Sequence, residues 1–295
     1  MKIIMGICLA LNASLALALD VVATTSSMGM LAREIGGPAV KVVELVAPER
    51  DAHSLQVKPS MMRALRDADL LLAVGADLEI GWLPVAVGGA GNAKVQQGQP
   101  GYFEAAAQVS LLEAGQAADR SKGDVHPAGN PHVNLDPERM AKIAAALAER
   151  LALLDPAQAA AYRQRAAVFR AALAERLPGW RGKAAGAPGA VLYHKDASYL
   201  MHFVGVPVLG YLEPLPGIPP TAAHLQALIG KLQGKRGVII HAPYQPASGA
   251  ERVAQATGWS LASLPLEPKS PASAAAYFQL IDRWIDVLVA SRQAP

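Results

Sequence analysis

The clearest pattern in the first half of the chain is the alternation of short apolar runs with amphipathic segments. Three runs have the β-branched or continuous apolar character of buried strands: VVATTSS at 21–27, VKVVELV at 40–46 and DLLLAVG at 69–75. Between them, residues 27–35 and 59–69 repeat apolar positions at helical spacing. This alternation predicts an α/β unit with a parallel sheet.

The same alternation returns in the second half. Strands are predicted at 190–194, 206–212, 237–241 and 260–264, and helices at 196–204, 221–233, 248–257 and 272–290. A second α/β unit is therefore expected. Residues 86–101 are rich in Gly, Asn and Gln, and this composition predicts a loop.

Two helices are predicted between the units, and each begins at an Asp-Pro pair. Asp is a good N-cap and Pro suits the first helical position, so Asp136-Pro137 predicts a helix to about Leu154. Asp155-Pro156 predicts a second helix to about Leu177, just before Pro178-Gly179. A helix of about 22 residues is ~33 Å long, enough to span a whole domain, and its flanking composition favours a rigid connector over an ordinary surface helix.

The N-terminus has the pattern of a secretory signal peptide. Lys2 precedes an apolar run at 3–11, and Ala16-Leu17-Ala18 fits a cleavage site after Ala18. The run is too short for a membrane anchor. Cleavage would remove Cys8, the only cysteine, so a metal site in the mature protein would have to use His, Asp or Glu. The net charge is only +3, and the chain lacks a run of basic residues. Both features argue against nucleic acid as a partner.

The histidines are placed where a ligand site is expected. Seven are present, at positions 53, 126, 132, 194, 202, 224 and 241. His194 and His241 end predicted strands, where open α/β sheets bind ligands, and His53 and His132 lie in loops. His202 and His224 fall within predicted helices and are interpreted as structural or solvated. No H-E-x-x-H or C-x-x-C motif is present, so spacing alone leaves polar loop residues and zinc ligands both open.

Four segments together resemble a known family. They are VVATTSSMGMLAREIGG, ELVAPERDAHSLQVKPSMMRALRDADLLLAVG, NPHVNLDP and LYHKDASYLMHFVG. Their order, spacing and surroundings, over most of residues 20–290, resemble the zinc-binding branch of the metal solute-binding proteins that serve ABC importers. DAHSLQVKPS resembles the first-ligand loop of that family and NPHVNLDP the second, which implies His53, His132 and the strand-end His194 as the metal ligands.

The resemblance also implies an architecture and a function. The fold expected is α/β, with two Rossmann-like lobes joined by one long rigid helix. The expected divisions are a signal peptide at 1–18, an N-terminal lobe at 19–135, a helical connector at 136–186 and a C-terminal lobe at 187–295. The implied function is a monomeric periplasmic receptor, not an enzyme, that captures Zn²⁺ between its lobes and delivers it to an ABC permease at the inner membrane. A periplasmic metallochaperone is a further candidate partner.

Two departures from the family pattern leave alternatives open. Where many relatives supply an Asp, this chain has about Pro265, so Glu267, His241 and water are all candidates for the fourth ligand. The loop before His132 is short and carries only His126, which is predicted to be a polar loop residue and at most a helper. Three imidazoles favour zinc, but a manganese or iron receptor stays an alternative. So do an adhesin-like surface role and a secreted zinc hydrolase with Glu267 or Asp196 as base.

Overall fold

The computed structural model describes residues 18–115, 123 and 125–292. The predicted signal peptide, apart from Ala18, lies outside these residues. Within the described part of the chain, no helix combines the length and apolarity needed to cross a membrane.

The first half of the chain forms a four-stranded parallel sheet with the strand order β2-β1-β3-β4. The strands are β1 (Leu19–Ala23), β2 (Val40–Glu44), β3 (Leu70–Ala73) and β4 (Tyr102–Glu104), and the helices of this half are α1 (Ser26–Gly36), α2 (Pro59–Asp67) and α3 (Leu83–Ala90). All four residues of β3 are buried, as expected of a parallel strand covered on both faces.

The second half forms another parallel sheet with the equivalent order β6-β5-β7-β8. Its strands are β5 (Ala190–Leu192), β6 (Val208–Tyr211), β7 (Val238–His241) and β8 (Ser260–Ser263), and its helices are α6 (Ser198–Val204), α7 (Ala222–Leu232), α8 (Ser248–Thr257) and α9 (Ala274–Ala290). The two α/β lobes predicted from the sequence are therefore confirmed.

The helices α4 (Pro137–Leu154) and α5 (Ala159–Ala184) lie between the two sheets in sequence. The Asp136 carboxylate caps α4, because it accepts the backbone N–H groups of Glu138 at 2.9 Å and Arg139 at 3.0 Å. The predicted start and end of α4 are both confirmed.

The predicted end of α5 near Leu177 is wrong. A short 3-10 turn at 156–158 precedes the helix, and α5 then continues through Pro178 to Ala184. An interior proline costs about 3 kcal/mol, and packing beyond it opposes this cost. Trp180 and Ala184 are buried, and Trp180 Nε1 donates to Asp282 of α9 at 2.7 Å. With 26 residues, α5 is about 39 Å long.

The loop predicted at 86–101 is also partly wrong. Residues 83–90 form α3, whose Leu83, Ala86, Val87 and Ala90 are buried. The glycines that lowered the expected helicity lie within and just after this helix, and Gly91 ends it in the left-handed conformation with φ 67°. The strand β4 was not predicted either.

The hydrophobic core continues from one lobe into the other. Helix α5 contacts α1 of the first lobe and α9 of the second, and α1 and α9 also contact each other. One cluster of buried side chains includes residues of β1, α4, α5, β5 and α9. The long helix is therefore embedded in a shared core, which opposes wide separation of the lobes. The lobe boundaries drawn from the sequence stay a prediction.

Candidate metal centre

The three predicted ligands lie close together between the two sheets. His53 lies in the loop after β2, His132 begins a short 3-10 turn that leads into α4, and His194 follows β5. One ring nitrogen from each lies within 4.8 Å of the others, an arrangement that could hold a metal ion. The His53 and His132 rings have centroids 5.0 Å apart, and the His132 and His194 rings 5.1 Å apart.

The ring of His53 is oriented by the residue two positions before it. Asp51 Oδ1 accepts both the backbone N–H of His53, at 2.9 Å, and the ring Nδ1, at 2.8 Å. The loop is further fixed where Trp82 Nε1 donates to the Ala52 carbonyl at 2.8 Å. With its proton on Nδ1, a neutral imidazole carries on Nε2 the lone pair that a metal ion would use.

His132 repeats the same local arrangement with an amide. Asn130 Oδ1 accepts the backbone N–H of His132, at 3.0 Å, and its Nδ1, at 2.8 Å. The Asn130 Nδ2 group donates to the Lys195 carbonyl of the second lobe at 3.0 Å, which fixes which end of the amide faces His132. Asn130 thereby orients a first-lobe ligand and contacts the second lobe.

His194 is oriented by a residue distant in sequence. Its Nδ1 lies 2.7 Å from Glu213 Oε2, and the same oxygen accepts the N–H of Gly217 at 3.0 Å. Glu213 follows β6, which pairs with the strand that leads to His194. The sheet therefore brings this carboxylate to the ring.

All three Nδ1 atoms are thus engaged, and the opposite nitrogens converge. His132 and His194 are only 8% and 7% exposed, and the Nε2 atom of each is buried without a hydrogen-bond partner among the described residues. Burying an unpaired polar atom costs about 1–3 kcal/mol. A bound metal ion would use both lone pairs.

The local electrostatics keep His132 neutral. Burial, reinforced by the neighbouring histidines, lowers the pKa of His132 well below its usual range. Burial also disfavours charge on His194, but the hydrogen bond to Glu213 and the nearby Asp196 carboxylate outweigh it and raise its pKa. A neutral imidazole is the form that binds metal.

The other sequence candidates for a fourth ligand are engaged elsewhere. Glu267 lines the same pocket as His53 and His132, but its Oε2 accepts the N–H of Ser27 at 2.6 Å. His241 Nδ1 donates to the Ala242 carbonyl at 2.9 Å. Among the described residues, neither of these side chains nor His126 belongs to the group of mutually close ligand atoms that the three histidines form.

His126 lies closer to the site than the sequence predicted. Its Nε2 is 3.3 Å from Nε2 of His53, and its ring centroid is 6.0 Å from that of His132. The other two histidines are peripheral. His202 is exposed, and His224 Nε2 contacts the Tyr211 carbonyl at 3.0 Å.

Two positioning residues were not predicted from the sequence. The pattern of an Asx two residues before a histidine occurs as Asp51-Ala52-His53 and as Asn130-Pro131-His132. This repeated spacing is a local signal that could have identified Asn130. Glu213 had no such signal, because only the pairing of β5 with β6 brings it to His194.

The fold and the site together define a class of protein. Two parallel α/β lobes with a long helix between them, and a cluster of imidazoles where the lobes meet, are the features of a metal-binding solute receptor. Comparisons with known proteins agree with this class. Residues 21–291 match the family described as "Zinc-uptake complex component A periplasmic", ZnuA. The chain belongs to the ZnuA family of metal-binding receptors, which are solute-binding proteins rather than enzymes.

Solved structures share the fold at low sequence identity. A ZnuA crystal structure superposes with a TM-score of 0.77 at 21% identity, covering 92% of this chain and 99% of that one. FpvC from Pseudomonas aeruginosa, in complex with Mn²⁺, gives a TM-score of 0.76 at 22% identity, covering 94% and 98%. The laminin-binding protein Lbp of Streptococcus pyogenes gives 0.73 at 22% identity, covering 93% and 99%. At these identities the likeness shows the fold alone.

Proposed function

We propose that this protein is a periplasmic zinc receptor. It binds Zn²⁺ between its lobes through Nε2 of His53, His132 and His194, and presents the ion to an ABC permease. The observation that carries the proposal is the convergence of three imidazoles whose Nδ1 atoms are already hydrogen-bonded to Asp51, Asn130 and Glu213. Ligating histidines typically have such an outer partner on the second nitrogen.

The donor set favours zinc over manganese. Imidazole nitrogen suits zinc, nickel and copper, whereas manganese prefers carboxylate, carbonyl and water oxygens. The three proposed ligands are imidazole nitrogens, and the nearby carboxylates Asp51 and Glu213 bind the far sides of the His53 and His194 rings. The fold does not decide the metal, because the FpvC structures contain Ni²⁺ in one case and Mn²⁺ in the other.

The rival function, a zinc hydrolase, would need a carboxylate free to act as a general base beside the metal. The two carboxylates proposed for that role both accept hydrogen bonds from other groups. Asp196 Oδ2 accepts from Gln245 Nε2 at 2.8 Å, and Glu267 accepts from Ser27. Transport is therefore the better interpretation of the site.

The proposal is tested by titrating metal-stripped protein that lacks residues 1–18 with Zn²⁺ by calorimetry. We expect one tight site per chain in the wild type and in His202→Ala, which removes an exposed histidine far along α6. His53→Ala should bind much more weakly. Millimolar wild-type affinity, or equal affinity in His53→Ala, would reject the proposed function. Competition with Mn²⁺ tests the choice of metal.

A further inference from the structure

We infer that His126 is a fourth metal ligand, so that the site is closed by four imidazoles rather than by a carboxylate or water. This inference rests on the proposed function, because it concerns the same metal. It also reverses the sequence-based interpretation of His126 as a polar loop residue.

The distance between His126 and His53 has the value expected for two ligands of one zinc ion. Zn–N bonds of about 2.0–2.1 Å in tetrahedral geometry place neighbouring ligand nitrogens about 3.3–3.4 Å apart. The observed Nε2–Nε2 distance is 3.3 Å, and zinc binding would also draw His126 toward His132 and His194, with which it does not form a close group of ligand atoms in the metal-free protein. In the metal-free protein, the same contact allows one ring to donate a hydrogen bond to the other. A metal ion between the two nitrogens would take the place of that proton.

The loop that carries His126 is fixed to the second lobe at both of its ends. The Tyr199 hydroxyl accepts the N–H of Leu112 at 2.9 Å and donates to the Asn130 carbonyl at 2.6 Å. Near the first end, Glu113 forms an ion pair with Lys195 at 2.7 Å. One buried tyrosine thus sets the separation of the loop ends, one on each side of His126.

A close backbone contact positions the segment just before His126. Gly123 has φ 122°, a conformation that favours glycine, and a Cβ at this position would lie 2.1 Å from the Pro216 carbonyl oxygen. Pro216 belongs to the loop that begins at Glu213, the partner of His194. The His126 loop and the Glu213 loop therefore contact each other beside the site.

The carboxylates that could compete for the fourth position are already satisfied. Glu267 accepts from Ser27 N and from Ser26 Oγ at 3.1 Å, and its other oxygen accepts from Asn134 Nδ2 at 3.2 Å. It therefore joins the start of α1 to the second lobe. Asp196 is engaged by Gln245.

Four neutral imidazoles would make the site more selective than three. When all four ligand atoms are imidazole nitrogens, the site favours zinc, nickel and copper over manganese, which prefers oxygen ligands. A catalytic zinc site keeps one coordination position open for substrate or water. A site in which all four ligands come from the protein therefore resembles a carrier site more than a catalytic site.

The test combines X-ray absorption at the zinc edge with competition against a chelator of known zinc affinity. The zinc-loaded wild type and His202→Ala should show four imidazole nitrogens, and His126→Ala should show three. Zinc affinity in His126→Ala should fall by about 10- to 100-fold, at least as much as loss of an outer partner causes. His126→Glu supplies a carboxylate instead, and should recover part of the zinc affinity while narrowing the preference for zinc over manganese.

The outcomes separate this inference from the proposed function. Three imidazoles in the wild type, or unchanged zinc affinity in His126→Ala while His53→Ala loses binding, would overturn the fourth ligand and leave the receptor intact. Absence of tight zinc binding in the wild type would overturn both. Thermal unfolding of each metal-free variant shows whether a loss of affinity reflects a loss of fold, and a normally folded His126→Glu that restores affinity would still support the inference.

Discussion

The two lobes orient their histidines in different ways. In the first lobe, Asp51 and Asn130 each bind both the backbone N–H and the ring Nδ1 of the histidine two residues later. In the second lobe, His194 depends on Glu213, which lies 19 residues away in the chain. The first-lobe ligands are thus set within their own loops, whereas the second-lobe ligand is set by the sheet.

This difference indicates that small movements of the lobes would affect the three histidine rings unequally. A local hydrogen bond to a neighbour survives small movements between lobes, because ring and partner move together. The pair of His194 and Glu213 also fixes the loop to Gly217, so a change there can alter the position of a longer segment. The continuous core limits such changes to loops rather than to whole lobes.

The largest effect is expected from removing a ligand that is set locally. His132→Ala deletes a buried ligand whose Nε2 has no other partner among the described residues. Zinc affinity should fall by more than the ~10- to 100-fold typical of losing an outer partner. Calorimetric titration beside His202→Ala measures it, and an affinity within threefold of the wild type would remove His132 from the ligand set.

The next largest effect is expected at the long-range partner. Glu213→Ala removes the acceptor for His194 Nδ1 and for the Gly217 N–H, so both the ring and the loop lose their orientation. We expect zinc affinity to fall by roughly 100-fold, the upper end of the range for outer partners. Glu213→Gln is the matched control, since its amide oxygen can still accept from the ring. Equal affinity of the alanine and glutamine variants would contradict the orienting role.

A smaller effect is expected at the local partner. Asp51→Ala leaves the Trp82–Ala52 hydrogen bond that also fixes the loop, so zinc affinity should fall by only about 10-fold. Asp51→Asn should bind nearly as well as the wild type, as the amide at Asn130 already serves this role for His132. If Asp51→Ala lowered zinc affinity more than Glu213→Ala does, the proposed difference between local orientation in the first lobe and long-range orientation in the second lobe would be wrong.

The smallest effect on binding is expected at Glu267. Glu267→Gln keeps one oxygen acceptor for the Ser27 N–H, but its NH2 group then faces the Asn134 Nδ2 donor, and the substitution also removes a negative charge from the N-terminus of α1. Because a buried donor loses its acceptor, the free energy of unfolding should fall by about 1–3 kcal/mol, with zinc affinity unchanged. Denaturant unfolding and the same zinc titration measure the two quantities. A large loss of zinc affinity would return Glu267 to the list of candidate ligands.

The sequence predicted most of the helices and strands, but α3, β4 and the end of α5 were not predicted. Alternating apolar runs predicted both parallel sheets, and the Asp-Pro pair at 136–137 predicted α4 because capping is local. The end of α5 could not be predicted, since Pro178 is opposed by the packing of Trp180 against α9. Helix α3 was not predicted because its glycines lower the helix propensity of the segment, whereas the burial of its apolar residues depends on tertiary packing.

The site was predictable to a similar extent. His53, His132 and His194 were chosen through the family resemblance, and the structure brings them together as a group that could hold a metal. The nearness of His126 to His53 could not be predicted, because it depends on Tyr199 and Gly123 fixing a loop across the lobes. The partner of His194 depends likewise on strand pairing.

The central claim is that zinc binds to the inward nitrogens of three histidines whose other nitrogens are already engaged. A crystal structure of the zinc-loaded protein, with anomalous scattering recorded at the zinc edge, tests it most directly. The account predicts a single strong zinc peak about 2.0–2.1 Å from Nε2 of His53, His132 and His194, with all three Nδ1 hydrogen bonds retained. A zinc peak away from these atoms, or bound through Nδ1, would contradict it.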